Sequence, residues 1–201
     1  MLNQIRPAIV MIVLLTIITG IAYPFAMTGI AQGLFPSQAN GSLVKRPDGT
    51  VIGATLIGQN FTSDKYFHGR LSATSDTDPN DPTKTIAAPY NAANSAGSNL
   101  GPTSQALADR VKGDVDALAA QGITHPPADL VTSSASGLDP DISPANAETQ
   151  IARVAAARNL PPDQVRQAVS QATSGRLLGL IGEPRVNVLQ LNMLLDGMKA
   201  S

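Results

Sequence analysis

The longest apolar run of the chain lies at its amino end. Residues 8–23 carry no charged side chain, and the first charge after Arg6 is Lys45. A helix needs about 20 mostly apolar residues to cross a hydrocarbon core of about 30 Å. Extended to Met27, the run has that length. The pattern therefore predicts a transmembrane helix over residues 8–27, after a short cytoplasmic N-terminus (1–7) and before a connector (28–40).

A cleaved secretory signal is the alternative interpretation of this run. A signal has an apolar stretch of roughly 7–15 residues and a small-residue cleavage site, whereas this run is longer and ends in Tyr23-Pro24-Phe25. Positive charges close to a span tend to stay cytoplasmic, and Arg6 with the chain amine supplies them. We therefore expect a single-pass protein of the bacterial inner membrane, with residues 41–201 forming a periplasmic domain.

Beyond the connector, the pattern predicts strands first and helices later. Pro47-Asp48-Gly49 is a turn sequence between two β-prone stretches, which predicts a β-hairpin. Leu56–Gln59 is expected to extend its second strand. Residues 66–99 show no regular period and include an acidic, proline-broken insert from Ser75 to Thr85. We expect a long loop there, of the kind that is usually functional or mobile.

The carboxyl-terminal half carries helical patterns. An apolar stripe of Leu107, Val111, Val115 and Leu118 ends at Gly122, and Asp129–Thr132 suggests a short strand. Ser143-Pro144 is a strong helix start, followed by a helical hairpin, a glycine-containing loop over 175–185 and a closing apolar helix over 186–199. Strands followed by helices predict an α+β fold, here one extracytoplasmic domain behind a single transmembrane helix.

Composition narrows the chemistry. Lys and Arg total 14 and Asp and Glu total 15, so a net charge of −1 gives no electrostatic case for nucleic acid. The absence of cysteine and the two distant histidines, His68 and His125, exclude the usual zinc sites. Residues 76–81 resemble the start of a calcium loop but lack its turn glycine and late glutamate, so we predict a solvated acidic loop and no metal site.

Catalytic motifs are equally weak. Residues 93–97 place Ser95 between small residues as in a nucleophile elbow, but no apolar strand precedes them. A secreted hydrolase is therefore a minor alternative, and we predict no catalytic residues.

Two local patterns suggest contacts. Gly97, Ser98, Asn99 and Gly101 precede a helix and are candidates for nucleotide binding through backbone N–H groups, although a plain helix-entry turn explains them too.

The second pattern lies in the membrane run. Thr16 and Gly20 are four residues apart and small, so they lie on one helix face and permit close approach of a partner helix. A coincidence on a lipid-facing surface is the alternative. We predict a membrane or partner contact at these two residues.

Several motifs, in order along the whole chain, resemble a single family. They are Leu56-Ile57-Gly58-Gln59, Tyr66-Phe67-His68-Gly69-Arg70, Ser72-Ala73-Thr74, Tyr90-Asn91-Ala92, Ser98-Asn99-Leu100-Gly101-Pro102-Thr103, Gly137-Leu138-Asp139-Pro140, Ile142-Ser143-Pro144 and Gly182-Glu183-Pro184-Arg185-Val186-Asn187. Together they resemble the C subunit of the Kdp-type potassium-transporting ATPase. The candidate interaction residues within them are Arg70, Ser72, Thr74, Asn91, Asp139, Glu183, Arg185 and Asn187.

This resemblance implies a non-catalytic accessory subunit of an ATP-driven potassium uptake pump. Its implied partners are a channel-like potassium-translocating subunit, a P-type ATPase subunit and a very small membrane subunit. The resemblance implies a catalytic chaperone that raises the affinity of the ATPase subunit for ATP. Only the resemblance suggests ATP as a ligand, and we expect no tightly bound cofactor. K+ is the ion that the complex transports. Because ATP is cytoplasmic and the domain is expected outside, a cytosolic domain that binds ATP directly is the alternative.

Overall fold

The apolar run forms a single long helix. The structure, a computed structural model, describes residues 2–46 and 48–197, and divides the chain into a helical unit up to Leu43 and a domain from Val44 onward. A 3-10 turn, Leu2–Gln4, leads into α1 (Ile5–Ile17), a π-helical turn (Ile18–Ala22) and α2 (Tyr23–Leu34). Pro24 lies just beyond Tyr23, the first residue after the π turn, and a π turn accommodates the hydrogen bond that the proline nitrogen cannot donate.

The helix is longer than the sequence pattern predicts. It continues through Gly29 and Gly33 to Leu34, and a short helix α3 (Pro36–Ala39) follows, so residues 28–34 are helical rather than a broken connector. Glycine costs a helix only about 1 kcal/mol relative to alanine, whereas Pro36 forces Phe35 out of helical geometry and ends it. The placement of the membrane boundary at Met27 stays a prediction.

The domain opens with two hairpins. In the first, β1 (Leu43–Lys45) pairs with β2 (Val51–Ala54), which confirms the predicted hairpin; Pro47 of its turn lies outside the described residues. The predicted extension over Leu56–Gln59 is wrong, because the chain turns after Ala54 and the Gln59 amide donates back to the carbonyl of Ile52 at 2.7 Å.

A second hairpin replaces much of the predicted long loop. β3 (Ser75–Asp78) pairs antiparallel with β4 (Asp81–Ala87). β-Branched residues such as Thr77, Thr83 and Thr85 favour strands, and the Asp78 carboxylate accepts the N–H of Asn80 to form the turn. The acidic residues dominated the sequence pattern and concealed these strand signals.

The remaining elements build the core. They are α4 (Gln105–Ala120), α5 (Ala128–Val131), β5 (Asp141–Ile142), α6 (Pro144–Arg158), α7 (Pro162–Ala172), β6 (Thr173–Ser174), β7 (Arg185–Asn187) and α8 (Val188–Leu195). The strands form a sheet in the order β5-β7-β6, with both pairings antiparallel. Its central strand and the helices α6, α7 and α8 enclose the main cluster of buried apolar side chains, with Phe67, Val154, Val165, Val186 and Leu191 almost fully buried.

Some predictions for the carboxyl-terminal half are confirmed and others are wrong. The helix start at Ser143 and the helical hairpin are confirmed, and Gly122 follows α4 with a positive φ. The strand expected over Asp129–Thr132 is wrong: Pro127 precedes a short helix there, with Asp129 in its first turn. The closing helix begins at Val188, because Val186 is paired in β7, and Met198 and Lys199 lie outside the described residues.

Candidate functional site

The segment that carries Arg70 is held in place by two side-chain amides. Phe67 is completely buried in an irregular stretch, so its backbone polar groups need partners. Asn192 of α8 accepts the N–H of Phe67 at 2.8 Å and donates to its carbonyl at 3.0 Å. Gln150 of α6 makes the same pair of bonds to His68, at 2.8 and 3.1 Å. The two amides thus substitute for a neighbouring strand.

The loops beside this segment are joined through Ser72 and Thr74. The Ser72 hydroxyl donates to the carbonyl of Gly137 at 2.8 Å and accepts the N–H of Tyr90 at 3.0 Å. The hydroxyl of Thr74, which is 2 % exposed, donates to the Ala88 carbonyl and accepts the N–H of Asn91. The Asn91 amide donates to the Ser75 carbonyl at 2.9 Å. The side chains of these three predicted interaction residues thus bond to backbone within the fold and connect three irregular stretches.

Four of the other predicted interaction residues line an open cleft of about 360 Å³, and Asn187 contacts one of its carboxylates. We call it the Arg70 cleft; its lining includes Arg70, Asp129, Asp139, Asp141, Ser143, Glu183 and Arg185. Arg70 pairs with Asp139 at 3.0 Å, and Arg185 pairs with Asp141 at 3.0 Å. The Asn187 amide donates to Asp141 at 3.1 Å, which fixes that carboxylate from the sheet side.

Carboxylates outnumber guanidinium groups in the lining of the Arg70 cleft. Four carboxylates and two guanidinium groups line it, and the Glu183 carboxylate also pairs with Arg176, which lies outside the lining. Burial raises the pKa of Asp141, against the opposing effects of the Asn187 hydrogen bond and the Arg185 charge. Beneath Arg70, burial and the Asp139 charge raise the pKa of Tyr90 to about 12, so its hydroxyl stays protonated and donates to the Arg70 carbonyl at 2.7 Å. The arrangement suits polar and ionic recognition.

The predicted nucleotide loop has a different geometry. α4 begins at Gln105 with Ser104 as its N-cap, so Gly97–Gly101 lie upstream of the helix end rather than at it. Gly97 is required by packing, because a Cβ there would stand 2.6 Å from the Ala135 carbonyl oxygen. Gly101 has open space around it. The position of these residues upstream of the N-cap favours a helix-entry turn, and nucleotide binding by Gly97, Ser98, Asn99 and Gly101 stays a prediction.

Residues considered for other chemistry make structural contacts. The Ser95 hydroxyl donates to the Ser136 carbonyl at 3.0 Å. His68 is half-buried, with a ring nitrogen 3.2 Å from the Ser63 carbonyl, while His125 is exposed beside Thr124. Within residues 2–46 and 48–197, no group of three or more His, Cys, Asp or Glu side chains is arranged to hold a metal ion.

Comparison with known proteins decides the family. The family model described as "KdpC: K+-transporting ATPase, c chain" matches residues 5–197. The chain belongs to the KdpC family. It is 66 % identical to the potassium-transporting ATPase KdpC subunit of Bradyrhizobium diazoefficiens over 98 % of both chains. It is 63 % identical to the subunit of the same name from Methylorubrum extorquens over 97 % of both.

Membership gives this KdpC chain its broad role, that of a subunit of a potassium-transporting ATPase. It also confirms the resemblance drawn from the motifs. Among the described residues, the structure adds positions that sequence reasoning did not single out for a site: Asn192, Gln150, Asp129 and Asp141. A usable signal was present for Asn192, because an amide inside an otherwise apolar helix must find a partner when it is buried.

Proposed function

We propose that this KdpC chain is a non-catalytic, single-pass accessory subunit that assembles an ATP-driven potassium uptake pump. Its helix crosses the inner membrane with the amino end in the cytoplasm, and the domain from Val44 onward lies outside. Its partners are the channel-like potassium-translocating subunit, the P-type ATPase subunit and the very small membrane subunit. The match of residues 5–197 to the KdpC family carries this proposal.

The amino-terminal helix supports it independently. Ile5–Leu34 is a helix of 30 residues with a mean hydropathy of 2.3 in its most apolar window and no buried side chain there. An apolar helix that covers none of its surface within its own chain needs lipid or other helices around it. Thr16 and Gly20 then offer a small-residue face to a neighbouring transmembrane helix.

We further propose that any effect on ATP affinity is indirect. With the domain outside, the chain and the cytoplasmic nucleotide lie on opposite sides of the membrane. A catalytic chaperone of this topology acts through its helix and through contacts with the subunits that span the membrane. The close approach of the Ala135 carbonyl to Gly97 supports this route over direct nucleotide contact at that glycine.

Deletion of residues 41–201 tests the role in assembly. In a strain that depends on this pump, we expect the deletion to abolish growth at limiting potassium and to prevent recovery of the other subunits as a complex. Normal growth and a complete complex would contradict the proposal. Expression of the truncated chain must be confirmed first, because loss of the chain itself gives the same growth defect.

A reporter fused after Ser201 tests the topology. A periplasm-dependent enzyme should be active in this position, and a cytosol-dependent reporter should be silent. The reverse pattern would place the domain beside cytoplasmic ATP and would favour the alternative of direct nucleotide binding. A fusion at the amino end provides the matched control, with the opposite outcome expected.

A further inference from the structure

An exposed apolar tip projects from the sheet between β6 and β7. Its members are Leu177, Leu178, Leu180 and Ile181, which are 66, 85, 82 and 64 % exposed. Water exposure of four adjacent large aliphatic side chains is unfavourable, and contiguous exposed apolar patches mark interaction sites. These four residues belong neither to the Arg70 cleft nor to the predicted transmembrane contact at Thr16 and Gly20.

The apolar tip has a defined shape. Leu177 and Ile181 exchange backbone hydrogen bonds of 2.9 and 3.0 Å, and the N–H groups of Gly179 and Leu180 also bond within the turn. Below the tip, Arg176 and Glu183 form an ion pair of 2.7 Å. The loop continues into β7, whose Val186 is fully buried in the core. The tip is therefore presented on a preorganised hairpin, which lowers the ordering cost of binding.

The backbone conformation of Leu178 independently indicates that the apolar tip has a function. Its φ is 53°, in the left-handed region that side chains other than Gly and Asn rarely occupy. Asn or Gly would suit this backbone better, and Leu at this position makes no compensating buried contact because its side chain is 85 % exposed. An apolar residue in strained and exposed backbone indicates a contact outside this chain.

The charges around the tip favour a protein over a lipid surface. Segments that lie in a membrane interface rely on excess Lys or Arg and on aromatic side chains. Residues 173–187 contain no aromatic residue, and both of their arginines are paired with carboxylates, Arg176 with Glu183 and Arg185 with Asp141. An apolar centre within a neutralised polar rim is the composition of a protein interface.

We propose that the apolar tip inserts into an apolar groove on another subunit of the potassium pump. This inference rests on the proposed function. Four side chains cover far less than the ~800 Å² per partner of a standard interface, so the tip suits a partner that other contacts already hold nearby. A subunit of the same membrane complex meets that condition through high effective concentration.

A paired substitution tests the insertion in the full-length chain coexpressed with its pump partners. Leu178→Asn with Leu180→Ser removes apolar surface and gives the left-handed position a residue that accepts it. The melting temperature of the purified chain should be unchanged or higher, while recovery of partner subunits should fall about tenfold or more. Leu56→Ser is the matched control, since Leu56 is 69 % exposed and lies outside the tip, on the turn that follows β2.

The outcomes separate the two proposals. If the unaltered chain recovers no partner subunits, the proposed function fails. If the unaltered chain, Leu56→Ser and the tip variant all recover them equally, the proposed function stands and the insertion of the tip is wrong. A loss with Leu56→Ser equal to that with the tip variant would also overturn the specific role of the tip.

A fluorescent label identifies what covers the tip. Because the chain has no cysteine, Leu178→Cys provides its single thiol for a polarity-sensitive dye, with Leu56→Cys as control. We expect a blue shift at position 178 in the assembled pump and none for the isolated full-length chain in phosphatidylglycerol-containing vesicles. A shift in vesicles without partners would assign the tip to the bilayer, and thiol cross-linking between two copies would assign it to a homodimer; either overturns the proposal.

Discussion

At the residue scale, two side chains supply hydrogen bonds to buried backbone groups that no neighbouring strand pairs with. Phe67 and His68 receive all four of their described backbone hydrogen bonds from Asn192 and Gln150. Buried backbone groups without partners are strongly unfavourable. The two amides are therefore what permits an irregular segment to run through the core and to present Arg70 at the cleft.

Asn192→Leu is expected to lower the free energy of unfolding by about 2–4 kcal/mol, because it leaves both a donor and an acceptor of Phe67 buried and unpaired. Leucine is of similar size, so a cavity does not account for the effect. Urea unfolding of the full chain in detergent, followed by circular dichroism, measures it. Gln164→Leu, at an exposed site of α7, is the control and should change little; an equal loss in both variants would contradict the account.

His68 should make stability depend on pH. Burial, and then the nearby Arg153 charge, lower the pKa of His68. The unfolded state therefore binds this proton more readily than the folded state at pH values below about 6.5. We expect stability to fall as the pH decreases from 6.5 toward the lowered pKa. His68→Gln should flatten this dependence, as measured by urea unfolding of both proteins above and below pH 6.5.

At the element scale, local signals explain which predictions succeeded. Ser143-Pro144 carries both a cap and a preset φ, and the α6–α7 hairpin follows from strict apolar spacing. The hairpin β3–β4 was missed because its strands are largely exposed and acidic, so no apolar alternation marks them. The sequence does not show that Arg70 and Asp139 lie together in one cleft, because these residues are 69 positions apart and only the tertiary fold brings them into contact.

The two helix starts offer a matched comparison. The Ser143 hydroxyl accepts the N–H of Asn146 at 3.0 Å and donates to Asp129 at 2.9 Å, whereas Ser104 at the start of α4 makes no side-chain cap bond. Ser143→Ala should cost about 1–2 kcal/mol, and Ser104→Ala less than about 0.5 kcal/mol. Thermal unfolding of the two variants decides; equal losses would show that Ser143 does not act as a cap.

At the scale of the whole molecule, the two units expose different surfaces. The large apolar side chains of the helix Ile5–Leu34 are exposed, and the domain has a buried core with an apolar tip on one hairpin. Family membership was accessible from sequence because collinear motifs survive in order along the chain. The tip was not singled out, because glycines at 179 and 182 made this stretch appear to be an ordinary loop.

Gly20→Leu is expected to lower recovery of partner subunits about three- to tenfold. A side chain at position 20 would meet Thr16 at an ordinary 3.9 Å within the helix, so the helix itself accepts the change and the loss arises at a neighbouring helix. Gly33→Leu, with nothing within 4 Å, is the control. Equal recovery in both variants would indicate that Thr16 and Gly20 face lipid.

The pairing of Phe67 with Asn192 also sets an order of events in time. The partners are 125 residues apart, and the chain leaves the ribosome amino end first. The backbone groups of Phe67 therefore obtain their native partner only after α8 has been synthesised. Because α8 supplies Asn192 as well as the core residues Val188 and Leu191, we expect a chain stopped before residue 188 to leave the core incomplete.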